Sequence, residues 1–567
     1  MSGTAETDPI TLEVIRHRLD TIAEEMEATL LRSSCSPIVK EGLDASASLF
    51  TVAGGTLAQA CAIPVHLGTL IPAVAAILQE FPLETMREGD IYTMNDPYLG
   101  GTHLPDFAIV LPVFHGGEPI AIAAAMTHHQ DVGGKTAGSV PTDSTEIYQE
   151  GLRVPPLRWV RDGIFDEALT KLLRLNVRIP DIFIGDLHAQ IAACKIASLR
   201  LGELAERHGG AFLVRAFQTL LDRSETMTRA ALAALPDGSY RFSDGLDNDG
   251  VEFDRRLRIC VEITLSGGTI HFDLTGTSGE ARGPVNCVPS GSLAAACYAV
   301  RAVTDASIPN NAGCFRPISL TLPEGSLVNP RTPAPVNART ATIKRVTGCM
   351  LGALAQAAPD RMPAANAGAL VVMAFGGRSI RHGTFVTGDL LAGGSGASQD
   401  CDGVDAIETD ATNCMNVPAE AMELEAPVRV TRCALRKDTG GAGLHRGGLG
   451  LVKEFEVLPD APDGVSFSHR GERHFLPPPG MAGGGDGGCA LSYIQRADGR
   501  REEIPSKMVT RLAPGEKVSV GTAGGAGWGE PRARERRAVV EDVANGKTTV
   551  EAARDVYGLT DTPAEAG

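Results

Sequence analysis

The stretch FAIVLPVFHGGEPIAIAAAM, residues 107–126, places two apolar runs on either side of a polar turn. The runs FAIVLPVF (107–114) and IAIAAAM (120–126) have the length of strands, and the turn HGGEP between them contains two glycines and a proline. A short apolar run without polar alternation is consistent with a strand that is fully buried. The sequence therefore predicts a buried hairpin here.

Outward from this hairpin, the chain alternates between helical and strand patterns. Asp8 and Pro9 begin an amphipathic helix of about twenty residues, whose apolar stripe fits either the chain's own core or another subunit. Short strands are predicted between about 45 and 125, over 238–275, and between the glycine-rich turns after about 380. Further helices are predicted over about 182–207, 211–234, 291–304, 341–358 and 549–556.

A chain of 567 residues is too long for one compact core. The predicted fold class is α+β: a multi-domain chain, rich in antiparallel strand, with several long helices. We expect three domains. Residues 1–235 would hold the first helix, the site-bearing α+β part and the long helices, 236–380 a central α+β domain, and 381–567 a glycine-rich, β-rich domain.

The charge balance disfavours two classes of partner. The chain has 52 Lys and Arg against 69 Asp and Glu, a net charge of −17, and no basic stripe, so neither nucleic acid nor an anionic membrane surface is expected to bind. The first residues do not have the pattern of a signal peptide, and the most apolar run, 364–377, is too short to span a bilayer. Twelve scattered cysteines without a CxxC pattern favour reduced thiols in a cytoplasmic protein.

Polar loops at the two ends of the predicted hairpin carry the candidate site. NDPYLGGTHLPD (95–106) contains His103 and Asp106, and THHQDVGG (127–134) contains His128. If the strands are neighbours, two imidazoles and one carboxylate meet, a set that leaves open positions on Zn, Mn or Fe(II). The alternative is a pair of polar loops whose histidines hydrogen-bond the backbone. The residues alone leave both interpretations open.

Three nearby groups, His129, Asp131 and Glu150, are candidates for a general base or for orienting the ligands. Because the ligands are expected in exposed loops, replacing His103 or Asp106 should remove the metal without unfolding the chain. The late glycine-rich segments contain no GxxxxGK[ST] phosphate loop, and the sequence contains no GxSxG nucleophile motif.

An ordered set of motifs resembles the hydantoinase B / 5-oxoprolinase family over nearly the whole chain. It includes IPVHLGTL (63–70), the two loops above, EIYQEGLRVPP (146–156), DLTGTS (273–278) and GTAGGAGWG (521–529). The resemblance implies the B-type subunit of a two-component enzyme, in which an A-type subunit with an actin-like ATPase fold binds Mg-ATP. It also implies a divalent metal held by a His-x-x-Asp and a later histidine, here His103, Asp106 and His128.

The activity implied by the resemblance is ATP-dependent hydrolysis of a cyclic amide, such as a hydantoin, 5-oxoproline or a lactam. Two alternatives are a subunit of an ATP-dependent ketone carboxylase of the acetone or acetophenone type, which would use the same metal ligands, and a noncatalytic scaffold for the ATPase partner. The expected assembly is a hetero-oligomer with more than one copy of each chain.

Overall fold

The computed structural model describes residues 8–60 and 63–560. Its α-helices, in chain order, are α1 Pro9–Ser33, α2 Pro37–Lys40, α3 Pro64–Glu80, α4 Glu167–Leu175, α5 Pro180–His208, α6 Gly210–Ala233, α7 Pro289–Val303, α8 Arg339–Ala357, α9 Ala419–Glu425, α10 Arg536–Ala544 and α11 Val550–Asp555.

Twenty strands are formed by these described residues. The first eleven are β1 Ala45–Phe50, β2 Thr56–Gln59, β3 Ile91–Met94, β4 Asp106–His115, β5 Glu118–His128, β6 Leu157–Arg161, β7 Ile164–Phe165, β8 Gly238–Leu246, β9 Leu257–Ser266, β10 Thr269–Asp273 and β11 Ile318–Thr321. The other nine are β12 Val371–Ser379, β13 Gly383–Leu391, β14 Val428–Leu435, β15 Leu451–Val457, β16 Val465–Arg470, β17 Leu491–Gln495, β18 Arg501–Glu503, β19 Lys507–Leu512 and β20 Lys517–Gly521.

The first sheet has the order β2-β1-β5-β4-β3-β6-β7, and the predicted hairpin is its β4–β5 pair. Phe107 and Ile109 of β4 join a core with residues of α1, α5 and α6, whereas Ala108 and Val110 join a second core with residues of α3. Successive side chains of a strand point to opposite faces. Because helices cover both faces of this sheet, neither face requires polar residues, and the two runs are continuously apolar.

Three further sheets follow, and the α+β class is confirmed. Their orders are β11-β10-β9-β8, β13-β12-β16-β19 and β14-β15-β20-β17-β18. Every strand pairing in them is antiparallel except that of β10 with β11. Helices α7 and α8 bury their apolar residues against the first of the three.

The predicted domain boundary at 380 lies in the turn that joins the paired strands β12 and β13, so the strand order groups β12 with the C-terminal part. The domain division itself stays a prediction.

Helix α1 confirms the first helical pattern, and its apolar stripe packs on the chain's own core. Asp8 caps it by accepting a hydrogen bond from the Thr11 N–H, and Leu12, Ile15 and Leu19 are buried with α5. The predicted helices over 182–207, 211–234, 291–304, 341–358 and 549–556 are also confirmed, within two residues at each end, by α5, α6, α7, α8 and α11.

One prediction of secondary structure is wrong. The pattern over 45–125 predicts only short strands, but Pro64–Glu80 forms the seventeen-residue helix α3. This helix lies between the sheet and α7 and is apolar nearly all round, so it lacks the amphipathic period that would reveal a surface helix. An internal proline, Pro72, further obscures the pattern.

Helix α5 is the one helix, among the described residues, whose length and composition would allow it to cross a membrane. More than half of its most apolar window, 56%, is buried inside the protein. Its apolar residues pack on α1 and on strands β4 and β5, and the core helix of a globular protein meets the same criteria of length and composition.

Candidate metal centre

His103, Asp106 and His128 form a compact, fully buried cluster. His103 Nε2 lies 2.9 Å from Asp106 Oδ1 and 3.1 Å from His128 Nδ1, and His128 Nδ1 lies 3.3 Å from the same carboxylate oxygen. The side chains of His103 and Asp106 are 0% exposed and that of His128 is 8% exposed. The structure therefore brings together the three residues that the sequence singled out, at the spacing of a metal-binding set.

The register of the hairpin explains why these residues meet. Asp106 is the first residue of β4 and His128 the last of β5, and the two lie directly opposite each other. Side chains at opposed positions of antiparallel strands are neighbours on one face. His103 precedes β4 in a tight turn, where Gly100 has φ 121° and passes so close to α3 that a Cβ would lie 2.6 Å from the Pro72 carbonyl oxygen.

The charges around the cluster favour the protonation states that metal ligands need. Burial by itself would raise the pKa of Asp106, but His103 and Arg339 outweigh it and hold that pKa well below its ordinary value. Arg339 Nη2 donates to Asp106 Oδ2 at 2.6 Å, and the Thr102 hydroxyl donates to the same oxygen at 2.5 Å. Burial and Arg339 lower the pKa of His103 well below its ordinary value. The cluster thus combines an ionised carboxylate with a neutral imidazole.

A hydrogen bond outside the cluster sets the tautomer of His103. Its Nδ1 lies 3.1 Å from the Asn337 carbonyl oxygen, which can only accept, so Nδ1 carries the proton and the lone pair of Nε2 points into the cluster. Lone pairs of His103 Nε2 and Asp106 Oδ1 therefore converge on one point, beside His128 Nδ1. A shared cation satisfies such a set of acceptors, and this donor chemistry fits a borderline divalent metal.

Two further residues beside the cluster, His66 and Asp44, had not been predicted from the sequence. His66 Nε2 lies 3.7 Å from Asp106 Oδ1 and 3.5 Å from Asp44 Oδ1. His66 belongs to α3, the helix that was not predicted, and Asp44 directly precedes β1, the neighbour of β5. His66 and Asp44 are too far from His103 in the sequence to form a short metal-ligand motif with it. Only the family motif IPVHLGTL (63–70), which contains His66, indicated this region.

The structure places His129 on the opposite face of the sheet from His128. Consecutive strand residues point in opposite directions, and the ring of His129 packs between Phe107 and Phe183. Its Nε2 contacts Thr127 Oγ1 at 3.1 Å and Gln190 Oε1 at 3.2 Å. Burial lowers its pKa to about 4. This geometry favours packing against α5 over a role as general base at the cluster.

Asp131 is likewise occupied by structural contacts. Its two oxygens accept hydrogen bonds from the backbone of Gly133, Gly138 and Arg178, and Arg178 Nη1 adds a salt bridge at 2.9 Å. The carboxylate therefore ties the loop after β5 to the segment that precedes α5. The structure does not bring it to the cluster.

Glu150 lies behind the cluster, with no contact to the ligand atoms. Its carboxyl oxygens accept hydrogen bonds from the backbone N–H groups of Val336 and Asn337 and from the Ser144 hydroxyl. The Asn337 carbonyl oxygen, in turn, accepts from His103. Glu150 thus positions the segment that orients His103, and the predicted general-base role for His129, Asp131 or Glu150 stays a prediction that their contacts do not favour.

The raised pKa of Glu150 makes a testable contribution to stability. Burial raises this pKa to about 7 from an ordinary value of 4.5. An acid with a raised pKa in the folded state favours folding below about pH 4.5 and loses that contribution as the pH rises to about 7. As the pH rises through this window, we expect the unfolding free energy of the wild type to fall relative to that of Glu150→Gln, which has no titrating group at this position. Parallel denaturant titrations at several pH values measure it, and a pH-independent difference would contradict the assignment.

A cavity of about 20 Å³ lies beside the cluster and is large enough for one water molecule. We call it the inner cavity; its polar lining comprises Asp44, His66, His128, Arg339, Thr340, Thr412 and Arg470. The Nε atoms of both arginines have no hydrogen-bond partner among the described residues. Burial lowers the pKa of Arg470 to about 9, which leaves it charged at neutral pH. Two buried guanidinium groups thus line the space beside the candidate ligands.

The fold and this site define a multi-domain α+β protein with a buried bis-histidine–carboxylate cluster at the end of a sheet. The chain belongs to the Hydantoinase B/oxoprolinase family, whose profile matches residues 8–531. It is 34% identical to the B-type subunit of a putative D-/L-hydantoinase from Pseudomonas sp. (strain NS671), over 98% of this chain and 96% of that protein.

Two solved structures share the fold. The crystal structure of the ATP-dependent caprolactamase from Pseudomonas jessenii superimposes with a TM-score of 0.89 at 30% identity, and the match covers 99% of this chain and 97% of that chain. A nucleotide-free acetone carboxylase also gives a TM-score of 0.89, at 20% identity, over 97% of this chain and 79% of that chain. The second likeness is one of fold alone. The predicted family is thereby confirmed.

Proposed function

We propose that the chain is the metal-containing B-type subunit of a two-component, ATP-dependent cyclic-amide hydrolase. The observation that carries this proposal is the buried cluster of His103, Asp106 and His128, with three ligand atoms within 3.3 Å of one another. Relatives of this chain are named as a putative hydantoinase component and an ATP-dependent caprolactamase, and the family is named Hydantoinase B/oxoprolinase, which supports a hydantoin, a lactam or 5-oxoproline as the substrate class.

The three ligands would hold one divalent ion, Zn, Mn or Fe(II), in a set with open coordination positions. Such an ion supplies Lewis acidity, which polarises a carbonyl or lowers the pKa of water. The surroundings of the cluster keep Asp106 ionised and His103 neutral, and these are the protonation states in which both side chains bind a metal. The low exposure of the cluster excludes bulk water and so strengthens each electrostatic interaction inside.

Arg339 and Arg470 would stabilise negative charge that develops on the substrate oxygen, a single atom for which the inner cavity has room. Both guanidinium groups line the inner cavity, and each has a buried Nε without a partner among the described residues. Donors fixed in place before the reaction stabilise a developing oxyanion without reorganisation. Arg339 also contacts Asp106, so it would couple the ligand set to the substrate.

ATP would be bound by a separate A-type subunit. The sequence contains no GxxxxGK[ST] phosphate loop. The carboxylase alternative has support from a likeness of fold only. A purely noncatalytic scaffold would not need an ionised carboxylate and a correctly oriented imidazole in its interior, where burying a charge is costly. A cytoplasmic location and an assembly with more than one copy of each chain belong to the same proposal.

Reconstitution tests the proposal directly. The purified chain is expected to carry about one divalent metal per chain by elemental analysis and to show no ATP hydrolysis by itself, because its ligand set suits a transition metal rather than Mg-ATP. Mixed with an A-type subunit, it is expected to couple ATP hydrolysis to the opening of a hydantoin, 5-oxoproline or lactam ring. Robust ATP turnover by the chain alone would contradict the two-component proposal, and turnover only with ketones and bicarbonate would favour the carboxylase.

A further inference from the structure

A second, larger cavity lies further along α8 than the cluster, and its α8 lining residues run from Lys344 to Gln356. We call it the outer cavity; its volume is about 270 Å³. Its walls are largely apolar and include Phe242, Leu351, Ala355 and Met481. A concave, mostly apolar pocket with few polar groups is the usual form of a small-molecule site.

The three cationic side chains that line the outer cavity, Lys344, Arg345 and Arg473, each contact a carboxylate, and the Asp410 carboxyl, which also lines it, accepts a hydrogen bond from Asn366. Asp244 accepts hydrogen bonds from Arg345 at 3.1 Å and from Arg473 at 2.9 Å, and Lys344 donates to Glu408. An anionic ligand would therefore compete with existing ion pairs of these cations. The pocket suits an uncharged molecule with an apolar body.

Two unsatisfied donor atoms of one arginine indicate which polar group this molecule carries. Arg345 is 1% exposed, and its Nε and Nη2 atoms have no hydrogen-bond partner among the described residues, although Nη2 lies 3.9 Å from Glu472 Oε2. Buried donors of this kind normally have an acceptor. A neutral carbonyl oxygen is such an acceptor and brings no net charge, as in a cyclic amide.

A thin wall separates the outer cavity from the inner cavity. Thr340 lines the inner cavity and Lys344 the outer one, and these residues lie one helical turn apart on α8, about 6 Å along its axis. The Lys344 ammonium group donates to Glu408 and, at 3.1 Å, to Thr412, which itself lines the inner cavity. The Lys344 side chain, held by Glu408 and Thr412, thus connects the lining of the outer cavity to that of the inner cavity.

We propose that the outer cavity binds the uncharged cyclic amide before it reaches the cluster, with the Lys344–Glu408 pair as the partition between the two sites. This inference rests on the proposed function, because it assigns the substrate class of that reaction to a second location. Arg345 is a positioning residue here, which donates to the ring carbonyl.

A glycine in the wall allows a sharp test. A Cβ added at Gly348 on α8 would meet no atom within 4 Å, although Gly348 lines the outer cavity. Gly348→Leu therefore fills the cavity without a backbone clash. Gly202 on α5 also has open space around a built Cβ and is absent from the cavity wall, so Gly202→Leu is the matched control.

The probes are ε-caprolactam and hydantoin, with 6-aminohexanoate as the charged comparison, titrated against the metal-loaded full chain by calorimetry. We expect Gly348→Leu to weaken the binding of the neutral rings by about tenfold or more, and Gly202→Leu to leave it unchanged. Binding to Gly348→Leu with wild-type affinity would overturn the inference, as would absence of neutral-ring binding to wild type or equal binding of 6-aminohexanoate.

A crystal of the wild-type chain soaked with ε-caprolactam gives a second measurement that needs no variant. Ring density between Phe242 and Leu351 is expected, and density elsewhere alone would overturn the inference. Both readouts measure binding and require no turnover. Absence of metal in the wild type would contradict the proposed function. An affinity for caprolactam that is unaffected by Gly348→Leu would contradict the outer-cavity site alone.

Discussion

Replacing His103 with alanine is expected to abolish binding of the proposed divalent metal and, with it, the proposed hydrolase activity. Loss of a residue that only supports a metal ligand lowers metal affinity or activity by about 10–100-fold, so loss of a ligand should exceed about 100-fold. His103 is the residue whose tautomer the Asn337 carbonyl sets, and its Nε2 is within 3.1 Å of both other ligand atoms. The substitution therefore removes one of the two lone pairs that converge beside His128 Nδ1.

Elemental analysis and metal titration of the variant measure this effect, together with turnover in the presence of the A-type subunit. His208→Ala is a suitable control, because His208 is the last residue of α5 and takes no part in the cluster. The control should keep wild-type metal content and activity. A His103→Ala protein with full metal occupancy and unchanged turnover would remove the basis of the proposed function.

Asp106→Ala is expected to destabilise the chain strongly, in addition to removing the metal. Arg339 is 5% exposed, and its salt bridge to Asp106 is 2.6 Å long. Without the carboxylate this guanidinium is a buried charge without its main partner. Breaking a buried pair from one side costs about 3–5 kcal/mol of unfolding free energy.

This expected outcome differs from the expectation drawn from the sequence, in which ligands in exposed loops could be replaced without unfolding the chain. That premise is wrong, because Asp106 is 0% exposed and begins a core strand. Denaturant unfolding of metal-free protein separates the two contributions. Asp106→Asn, which keeps the shape, should cost less than Asp106→Ala.

An exposed ion pair provides the matched comparison. Asp181 pairs with Arg174 at side-chain exposures of 88% and 43%, so Asp181→Ala should change the unfolding free energy by no more than about 1 kcal/mol. Equal, small effects of Asp106→Ala and Asp181→Ala would show that Arg339 does not depend on Asp106. The inner cavity would then lack the electrostatic coupling assigned to it.

Much of the secondary structure could be predicted from the sequence because its signals are local. Asp8-Pro9 is a capping signal for α1, and the spacing of Leu187, Ile191 and Leu204 marks the buried face of α5. Helix α3 had no such signal, because a helix buried on most sides is apolar on most sides. His66, which reaches the cluster from α3, could not be predicted for the same reason.

The candidate site could be predicted in part, again because the signal is local. His103, Asp106 and His128 flank one hairpin, so a correct local prediction of two adjacent strands was enough to bring them together. The surroundings of His129 could not be predicted in this way. This residue adjoins His128 in sequence, yet its ring lies between Phe107 and Phe183 on the other side of the sheet. Chain proximity does not distinguish the two faces when both are buried.

By itself, the sequence determined most of the long helices, the buried hairpin, the family and the convergence of His103, Asp106 and His128, because periodicity, capping and strand register act over short stretches of chain. Only the tertiary structure decided the surroundings of the cluster: Arg339 on Asp106, the Asn337 carbonyl on His103, and two cavities divided by Lys344. These contacts join residues more than 200 positions apart, or side chains from separate elements, and no local pattern encodes such distances. They arise when apolar surfaces of different elements pack and carry their polar groups into one place.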